Sequence, residues 1–409
     1  MTVGERPDRR RSRFDITTRP LVYGGNRIRL LENGDQYFPN LLAAIEGAAR
    51  SIYLETYIFA QDNIGLRVSD ALSVAADRGV EVRIIVDGFG TGAHAETLKA
   101  HVESVGGQVI VYRRARWWWL ERRLLRRLHR KLVLVDDQLA FVGGINIIDD
   151  HHHPDAESAG LGPRLDFAVM CEGPIVAPIA YAMKRLWWTL DLMQLRRRAG
   201  PPPVLALESV PAPLADGVRA SLLLRDNVRH RRTIEHAFLD ALGTARRDAL
   251  IAMAYFVPGR TFRRALIDCA QRGVRVRLLV QGRVEYALQH YGQEALYGQL
   301  LAAGIEIHEY NESYLHAKVA VIDDRWATVG SSNIDPYSLL LAREANVLVH
   351  DDAFARELRA RLERAINEGS RPVQAESFAR RGLVRRTVNW IAYGILRFAA
   401  VALAGGRDY

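Results

Sequence analysis

Apolar and polar positions along this chain form two blocks that follow the same order. Each block begins with an apolar, strand-like run, continues with apolar residues recurring every three or four positions, and returns to a strand-like run. The predicted strand, helix and strand are residues 51–59, 66–78 and 80–86 in the first block and 249–257, 260–272 and 274–280 in the second. A second helix, a strand and a hairpin then follow. The pattern predicts an α/β fold of two related halves, each a mixed β-sheet flanked by helices.

The repetition extends to single residues and shows where the halves divide. RGVEVRIIVDG at residues 78–88 returns as RGVRVRLLVQG at 272–282. The stretch LRRRAGPPP at 195–203 ends a helix predicted over 178–195, because a proline cluster cannot continue a helix. We predict a basic N-terminal segment (1–29), half 1 (30–195), a linker (196–215), half 2 (216–370) and a basic amphipathic tail (371–409).

The most informative repeat is LHRKLVLVDDQLAFVGGIN at 128–146, which returns as LHAKVAVIDDRWATVGSSN at 315–333. Both copies read His-x-Lys, four residues, Asp, six residues, Gly, two residues, Asn. Strand side chains two apart share a face, so each histidine projects with its lysine: His129 with Lys131, and His316 with Lys318. Solvated polar residues at a strand edge are the alternative, but chance does not repeat such a skeleton.

The two skeletons resemble the paired HKD motifs of the phospholipase D superfamily. GGIN in the first copy and GSSN in the second are similar to the motifs of bacterial cardiolipin synthases, in particular those without N-terminal transmembrane helices. The resemblance covers about residues 30–365. It implies two pseudo-symmetric halves with the active site at the seam.

Phosphodiester chemistry assigns roles to these residues. Displacement at phosphorus needs a nucleophile, neutralisation of the developing charge and a proton for the leaving oxygen. The resemblance implies that His129 attacks to form a phospho-histidine and that His316 is the general acid and base. The non-bridging oxygens are expected to bind Lys131, Lys318, Asn146 and Asn333. This scheme uses no metal and no cofactor.

Four acidic residues accompany the motifs. Asp166 and Glu344 resemble the carboxylates that orient the two histidines in the family, and solvated strand ends are the alternative. Asp136 and Asp323 belong to the catalytic motif by resemblance, although their position in a turn favours stabilisation of the hairpin. DDHHHPD at 149–155 has histidines pointing in different directions, so we interpret it as a polar loop and not as a metal site.

The net charge of +9 is concentrated in three stretches. Residues 113–131 carry +8, residues 1–13 carry +3 and residues 379–409 carry +5, so the rest of the chain is net negative. The first stretch lies in an insertion of half 1. Tryptophan beside arginine suits a lipid head-group boundary, so we predict membrane or lipid contact for Trp117, Trp118, Trp119, Arg122 and Arg123, and for Trp390 in the tail. A surface helix or single-stranded nucleic acid would also suit the insertion.

The tail repeats this amphipathic character. Val384, Val388, Ile391, Ile395 and Phe398 fall on one helical face, while Arg386, Asn389, Tyr393 and Arg397 fall on another. The polar interruptions favour an interfacial helix over a transmembrane span, and packing against the protein body is the alternative.

Together these features predict a cardiolipin synthase that moves a phosphatidyl group, with phosphatidylglycerol as the expected donor, to a second phosphatidylglycerol and releases glycerol. Hydrolysis by a phospholipase D is the nearest alternative, followed by a nuclease or a non-catalytic scaffold. The N-terminus lacks an apolar run typical of a signal peptide. We expect peripheral association with an anionic membrane surface, on the cytoplasmic face of the bacterial inner membrane, with phospholipid substrates and no nucleic acid partner.

Overall fold

The computed structural model describes residues 20–113, 127–152, 160–193, 201–204, 210–226, 230–335, 342–380 and 382–404. Within these ranges each half has the predicted alternation of strands and helices. Half 1 contains β1 (Tyr23–Glu32), α1 (Asn33–Glu46), β2 (Ser51–Thr56), α2 (Asn63–Asp77), β3 (Glu81–Asp87), α3 (His94–Glu103), β4 (Gln108–Tyr112), β5 (Arg127–Leu128), β6 (Lys131–Val135), β7 (Leu139–Gly143), β8 (Phe167–Glu172) and α4 (Val176–Met193).

Half 2 follows the same order. It contains β9 (Val218–Arg225), α5 (Thr233–Thr244), β10 (Asp248–Met253), α6 (Arg260–Gln271), β11 (Arg275–Gln281), α7 (Ala287–Ala302), β12 (Glu306–Tyr310), β13 (Lys318–Ile322), β14 (Trp326–Gly330), β15 (Ala342–His350), α8 (Asp352–Gly369) and β16 (Ser370–Pro372). Two more helices, α9 (Ala375–Ala379) and α10 (Leu383–Ala404), complete the described chain.

One continuous sheet joins the two halves. Its strand order is β16-β12-β11-β10-β13-β14-β15-β9-β1-β8-β7-β6-β2-β3-β4, with β5 paired beside β15. The halves meet where β1 runs antiparallel to β9. On either side of this junction the order is the same, since β8, β7, β6, β2 and β3 correspond to β15, β14, β13, β10 and β11. The sheet therefore carries the pseudo-symmetry that the repeats predicted.

Period-two patterning of the strands separates the core into layers. In β2, Ile52 and Leu54 pack under the outer helices α1, α2 and α3, whereas Tyr53 faces the opposite way. In β10, Ala249 and Ile251 face α5 and α6, and Leu250 faces inward. Helices α4 and α8 fill the shared interior between the halves. The active-site strands thus lie between buried layers on both faces of the sheet.

Helix α10 packs against α7 through its more polar face. Asn389, Tyr393 and Leu396 are buried there, and Arg385 forms a bidentate ion pair with Glu294 of α7, with both N···O distances at 3.0 Å. The apolar face predicted from the sequence points away from the protein: Val384, Val388, Ile391, Ile395 and Phe398 are all exposed. No helix within the described ranges combines the length and apolar character needed to cross a bilayer.

Candidate active site

The two histidines occupy matched positions between a short bridge to the opposite half and the first strand of a hairpin. The His129 N–H donates to the carbonyl oxygen of Arg343 at 3.0 Å, and Leu128 pairs with Arg343 in a parallel bridge. The His316 N–H donates to the Leu165 carbonyl at 2.9 Å, and Leu315 pairs with Leu165. Each histidine is therefore anchored by backbone from the other half.

The carboxylates follow the same crossed arrangement. Nδ1 of His129 forms a hydrogen bond of 3.2 Å with Oε2 of Glu344 and lies 3.0 Å from Oε1. Glu344 comes directly after Arg343. Nδ1 of His316 lies 2.6 Å from Oδ2 of Asp166, which comes directly after Leu165. Both carboxylates are buried. With Nδ1 bound to a carboxylate, Nε2 of each ring remains for chemistry in the cavity that both histidines line.

The two lysines lie beneath the histidines and are almost inaccessible to solvent. Lys131 is 4% exposed and Lys318 is 0% exposed. The Lys131 Nζ donates to its own His129 carbonyl at 2.6 Å, and Lys318 makes the equivalent bond to His316. Burial lowers the pKa of Lys131 to about 7 and that of Lys318 to about 8, although Glu344 and Asp166 oppose the shift. Because both lysines lose their charge near neutral pH, a bound anion would stabilise their protonated forms.

The surroundings of His316 shift its pKa. Burial and the charge on Lys318 lower its pKa well below the ordinary histidine value, despite the hydrogen bond to Asp166. Burial alone would raise the pKa of Asp166, but Lys318 and His316 hold it below its usual range. Both shifts favour a neutral imidazole beside an ionised carboxylate in the free protein. A phosphate anion bound between the lysines would favour protonation of the imidazole.

A cavity of about 370 Å³ connects the two histidines to solvent. His129, His316, Asn146 and Asn333 all line it. The Asn146 Oδ1 accepts the Ile58 N–H at 3.2 Å, which directs the amide NH₂ group away from that backbone and leaves it to donate to a ligand. Asn333 is 3% exposed, and its Oδ1 has no hydrogen-bond partner among the described residues. The structure thus gathers both histidines and both asparagines at one opening.

Asp136 and Asp323 lie at the far ends of the hairpins and not in this cavity. Both are in the left-handed region with φ of 53°, as their turns require. The Asp136 carboxylate accepts the N–H groups of Ala49, Arg50 and Ser51. Asp323 makes the same three bonds to residues 246–248. These backbone N–H groups outweigh the effect of partial burial and lower the pKa of both carboxyls. Each aspartate fixes the hairpin to the neighbouring strand.

The structure also reveals supports that the motifs alone did not indicate. The Asp87 Oδ2 accepts the N–H of Leu128 at 2.8 Å, and the Gln281 Oε1 accepts the N–H of Leu315 at 2.8 Å. Each bond fixes the residue before a histidine. The matched 87–88 and 281–282 ends of the repeated strand segments were the sequence signal for this pair.

A second group of supports surrounds the carboxylates. The Ser331 hydroxyl donates to Oε2 of Glu344 at 2.5 Å. At the matched position in half 1, a Cβ built on Gly144 would lie 2.2 Å from Oδ1 of Asp166. The Tyr57 ring packs 4.9 Å from the His129 ring. Gly144 in the first motif therefore leaves room for the Asp166 carboxylate, whereas Ser331 in the second motif hydrogen-bonds the Glu344 carboxylate.

The predicted lipid-contact residues fall into two groups. Trp117, Trp118, Trp119, Arg122 and Arg123 lie outside the described residues. Trp390 is 55% exposed on α10, beside Arg386 and Ile391 in a shallow surface depression.

Of the polar loop DDHHHPD, only residues 149–152 are described. The Asp150 carboxylate is buried against the Gly34 N–H, and burial raises its pKa to about 7.

The chain is similar to known proteins over most of its length. The family model described as "Cardiolipin synthase, PLD-like domain" matches residues 41–160 and 238–366. Cardiolipin synthase B of Shigella flexneri and that of Escherichia coli K12 are each 37% identical over 387 residues, which cover 91% of this chain and 88% of the relative. Probable cardiolipin synthase YwiE of Bacillus subtilis is 28% identical and matches 88% of this chain and 70% of its own length.

Solved structures support the same fold. Phosphatidylserine synthase of Haemophilus influenzae Rd KW20 superimposes with a TM-score of 0.67 over 92% of this chain and 94% of that chain, at 13% identity. This likeness concerns the fold alone. With the family match, it confirms the predicted α/β fold of two phospholipase D-like halves. The chain therefore belongs to the phospholipase D-like cardiolipin synthase family.

Proposed function

We propose that this protein is a cardiolipin synthase, a phosphatidyl transferase that uses phosphatidylglycerol as donor and acceptor. The observation that carries the proposal is the crossed pair of histidine–carboxylate bonds at one cavity, above two buried lysines. Two histidines with one phosphate position between them are what a two-step displacement through a covalent intermediate needs. The 37% identity to cardiolipin synthase B supports the lipid substrate.

In the first step, Nε2 of His129 attacks the phosphorus of phosphatidylglycerol. The bond from phosphorus to the head-group glycerol oxygen breaks. That oxygen takes the proton that Nε2 of His316 acquires from solvent when the anionic phosphate binds, and glycerol is released. In the second step, a hydroxyl of another phosphatidylglycerol gives its proton to His316 and attacks phosphorus. The phosphorus–nitrogen bond breaks, cardiolipin leaves, and both histidines return to their starting states.

The remaining groups stabilise charge. Lys131 and Lys318 bind the non-bridging oxygens, where negative charge develops in both transition states. Asn146 and Asn333 add neutral hydrogen bonds at the rim. Glu344 and Asp166 fix the histidine tautomers and stabilise the imidazolium forms. Asp136 and Asp323 contribute by holding the hairpins that carry these groups.

The test uses the purified full chain and phosphatidylglycerol vesicles, with mass analysis of the lipid products. Cardiolipin together with free glycerol is the expected result. Phosphatidic acid without cardiolipin would show that the protein is a phospholipase D and not a transferase. Absence of any lipid product would exclude both. His129→Ala and His316→Ala are expected to abolish turnover. Glu172→Gln, at a half-buried carboxylate on β8 that pairs with Arg27 outside the cavity, is the control.

The nucleophile is tested separately with a phosphatidylglycerol labelled with ³²P and a rapid acid quench. Label recovered on a peptide containing His129 is the expected result. Label on a His316 peptide would reverse the two roles.

We further propose that α10 docks the protein on an anionic membrane, on the cytoplasmic face of the bacterial inner membrane. Five apolar side chains of α10 face solvent although the helix packs firmly on α7 through its other face. Trp390 and Arg386 border this apolar strip, which is the arrangement that suits the head-group region.

Vesicle flotation tests this docking. The double variant Ile391→Ser/Phe398→Ser is expected to lose binding to vesicles containing phosphatidylglycerol, because it removes two exposed apolar side chains without touching the α7 contact. Thr387→Ser, on the same exposed helix surface, is the matched control. Unchanged flotation of the double variant would assign membrane contact to another part of the chain.

A further inference from the structure

The active-site cavity has duplicated reacting groups but unlike walls. Two isolated bridges align the halves at this level: Phe59 pairs with Ile147 in half 1, and Phe256 pairs with Ile334 in half 2. The residue before each phenylalanine is therefore equivalent in the two halves, and so is the residue after each isoleucine. This alignment allows the walls to be compared position by position.

At both aligned positions, half 1 has isoleucine and half 2 has a polar residue. Ile58 corresponds to Tyr255, and Ile148 corresponds to Asp335. All four side chains line the same cavity. The difference is therefore a feature of the site and not of a distant surface. Phe89, packed under Arg127 at 4.6 Å from its ring centroid, extends the apolar wall of half 1.

The polar wall of half 2 is a connected hydrogen-bonding surface. The Tyr255 hydroxyl donates to Oε2 of Glu285 at 2.5 Å. Arg164 of half 1 reaches across the seam to lie 3.7 Å from the other oxygen of Glu285, and Gln289 of α7 lines the same cavity. Asp335 is only 7% exposed, yet it borders the cavity. Carboxylate, amide and phenol oxygens within one wall supply several acceptors to a ligand.

The chemistry of this wall selects its ligand. Carboxylates repel a phosphate, which belongs over Lys131 and Lys318 instead. Arg164 offsets the charge of Glu285, which weakens the attraction for an ammonium head group. Hydroxyl groups satisfy the acceptors without adding charge. A polyol is therefore the ligand class that fits, while the apolar wall of half 1 suits the diacylglycerol side of the phosphate.

We propose that Tyr255, Glu285 and Asp335 form a polyol subsite that binds the glycerol head group during transfer. The inference rests on the proposed phosphatidyl transfer and adds to it the selection of the alcohol. Leaving and entering alcohols occupy the same position relative to phosphorus and His316, because the second step reverses the first with a different alcohol. One subsite thus serves the released glycerol and then the glycerol hydroxyl of the acceptor lipid, in preference to water.

Competition between soluble acceptors tests the subsite. The full chain is incubated with phosphatidylglycerol vesicles and equal concentrations of deuterium-labelled glycerol, 1-propanol and ethanolamine. Mass analysis of the phosphatidyl alcohols gives the acceptor ratios, and the deuterium label distinguishes the glycerol product from the donor. The wild-type protein is expected to favour glycerol over 1-propanol at least about tenfold, the factor that corresponds to about 1.4 kcal/mol.

Glu285→Gln and Asp335→Asn are each expected to lower this ratio about tenfold while phosphatidylpropanol still forms. Tyr255→Phe, which keeps the ring, is the second variant if either substitution prevents folding. Asp352→Asn, at an exposed carboxylate in the first turn of α8 outside this cavity, is the matched control and should leave the ratio unchanged. An equal preference in the wild-type protein, a preference for ethanolamine, or ratios unchanged in the half 2 variants would overturn the subsite. Failure of the wild-type protein to cleave phosphatidylglycerol would overturn the proposed function itself.

Discussion

Half 1 and half 2 hold the same reacting groups in different surroundings. Directly after His129 in sequence, Arg130 is buried in an ion pair with Glu55, whose Oε1 lies 3.0 Å from the guanidinium. The equivalent positions in half 2 are Ala317 and Ala252, both fully buried. Around the carboxylates, Gly144 faces Asp166 where Ser331 bonds Glu344. The comparison teaches that the reaction requires matched reacting groups, whereas each half supports them with its own packing.

The largest effects should be equal in the two halves. Asp166→Asn and Glu344→Gln each remove the carboxylate that orients a histidine of the opposite half, so each is expected to lower kcat by about 10⁴-fold. Steady-state kinetics with phosphatidylglycerol measure the loss, and circular dichroism checks the fold. Glu172→Gln on β8 serves as control. A loss confined to one of the two variants would show that only one histidine needs orientation.

The buried ion pair should reveal a difference in stability. Arg130→Ala leaves Glu55 buried and unpaired, and it is expected to lower the free energy of unfolding by about 3 to 5 kcal/mol. The double variant Glu55→Ala/Arg130→Ala copies half 2 and removes the unpaired charge. It should recover part of the loss in urea denaturation. If the double variant is less stable than Arg130→Ala, then the ion pair is not the source of the effect.

The glycine and serine beside the carboxylates should respond unequally. Gly144→Ala drives a methyl group into the Asp166 carboxylate and displaces it from His316, so kcat is expected to fall about 100-fold. Ser331→Ala removes one hydrogen bond to Glu344, which predicts a loss of roughly tenfold. Kinetics of the two single variants give the order. A larger loss in Ser331→Ala would mean that Asp166 can shift without consequence.

Titration of the lysines should give the most graded effect. A pKa lowered to about 7 in Lys131 and about 8 in Lys318 means that each loses its charge at a pH where an ordinary lysine keeps it. The charged forms bind phosphate, so kcat/KM is expected to fall about tenfold per pH unit between pH 7 and 8 and more steeply above. A bound phosphate anion raises both pKa values, so kcat should decline at a higher pH than kcat/KM.

Lys318→Arg provides the check on this assignment. Arginine keeps its charge throughout this pH range. In the variant, kcat/KM should therefore fall less steeply with rising pH than in the wild-type protein, whatever the absolute rate. A decline identical to that of the wild-type protein would assign the titration to another group.

The sequence was sufficient for the features that depend on local pattern. Apolar runs at 51–59 and 249–257 predicted the central strands, and the repeated skeleton predicted that His129 and His316 act together. The pairing of each histidine with a carboxylate of the opposite half was not predictable. It follows from the β5–β15 bridge for His129 and from the Leu165–Leu315 bridge for His316, which join residues distant in sequence. The polar cavity wall had no repeat to mark it, since Tyr255 and Asp335 are the positions where the repeat fails.

The tail illustrates a different limit. Helical spacing separated Val384 and Ile391 from Asn389 and Tyr393 correctly. Spacing alone gives two faces and cannot say which one meets the protein. Glu294, buried on α7, decides the orientation because it binds both Arg385 and Asn389. The apolar face is consequently left to face outward.

The exchange of carboxylates between the halves also has a consequence for inheritance. A substitution that shifts Asp166 is felt by His316, and one that shifts Glu344 is felt by His129. Substitutions that move a carboxylate in one half therefore require compensating substitutions around the histidine of the other half. The same holds if one half is replaced by the corresponding half of a relative. Duplication supplied two copies of the motif, but the crossed bonds have made them a single unit of selection.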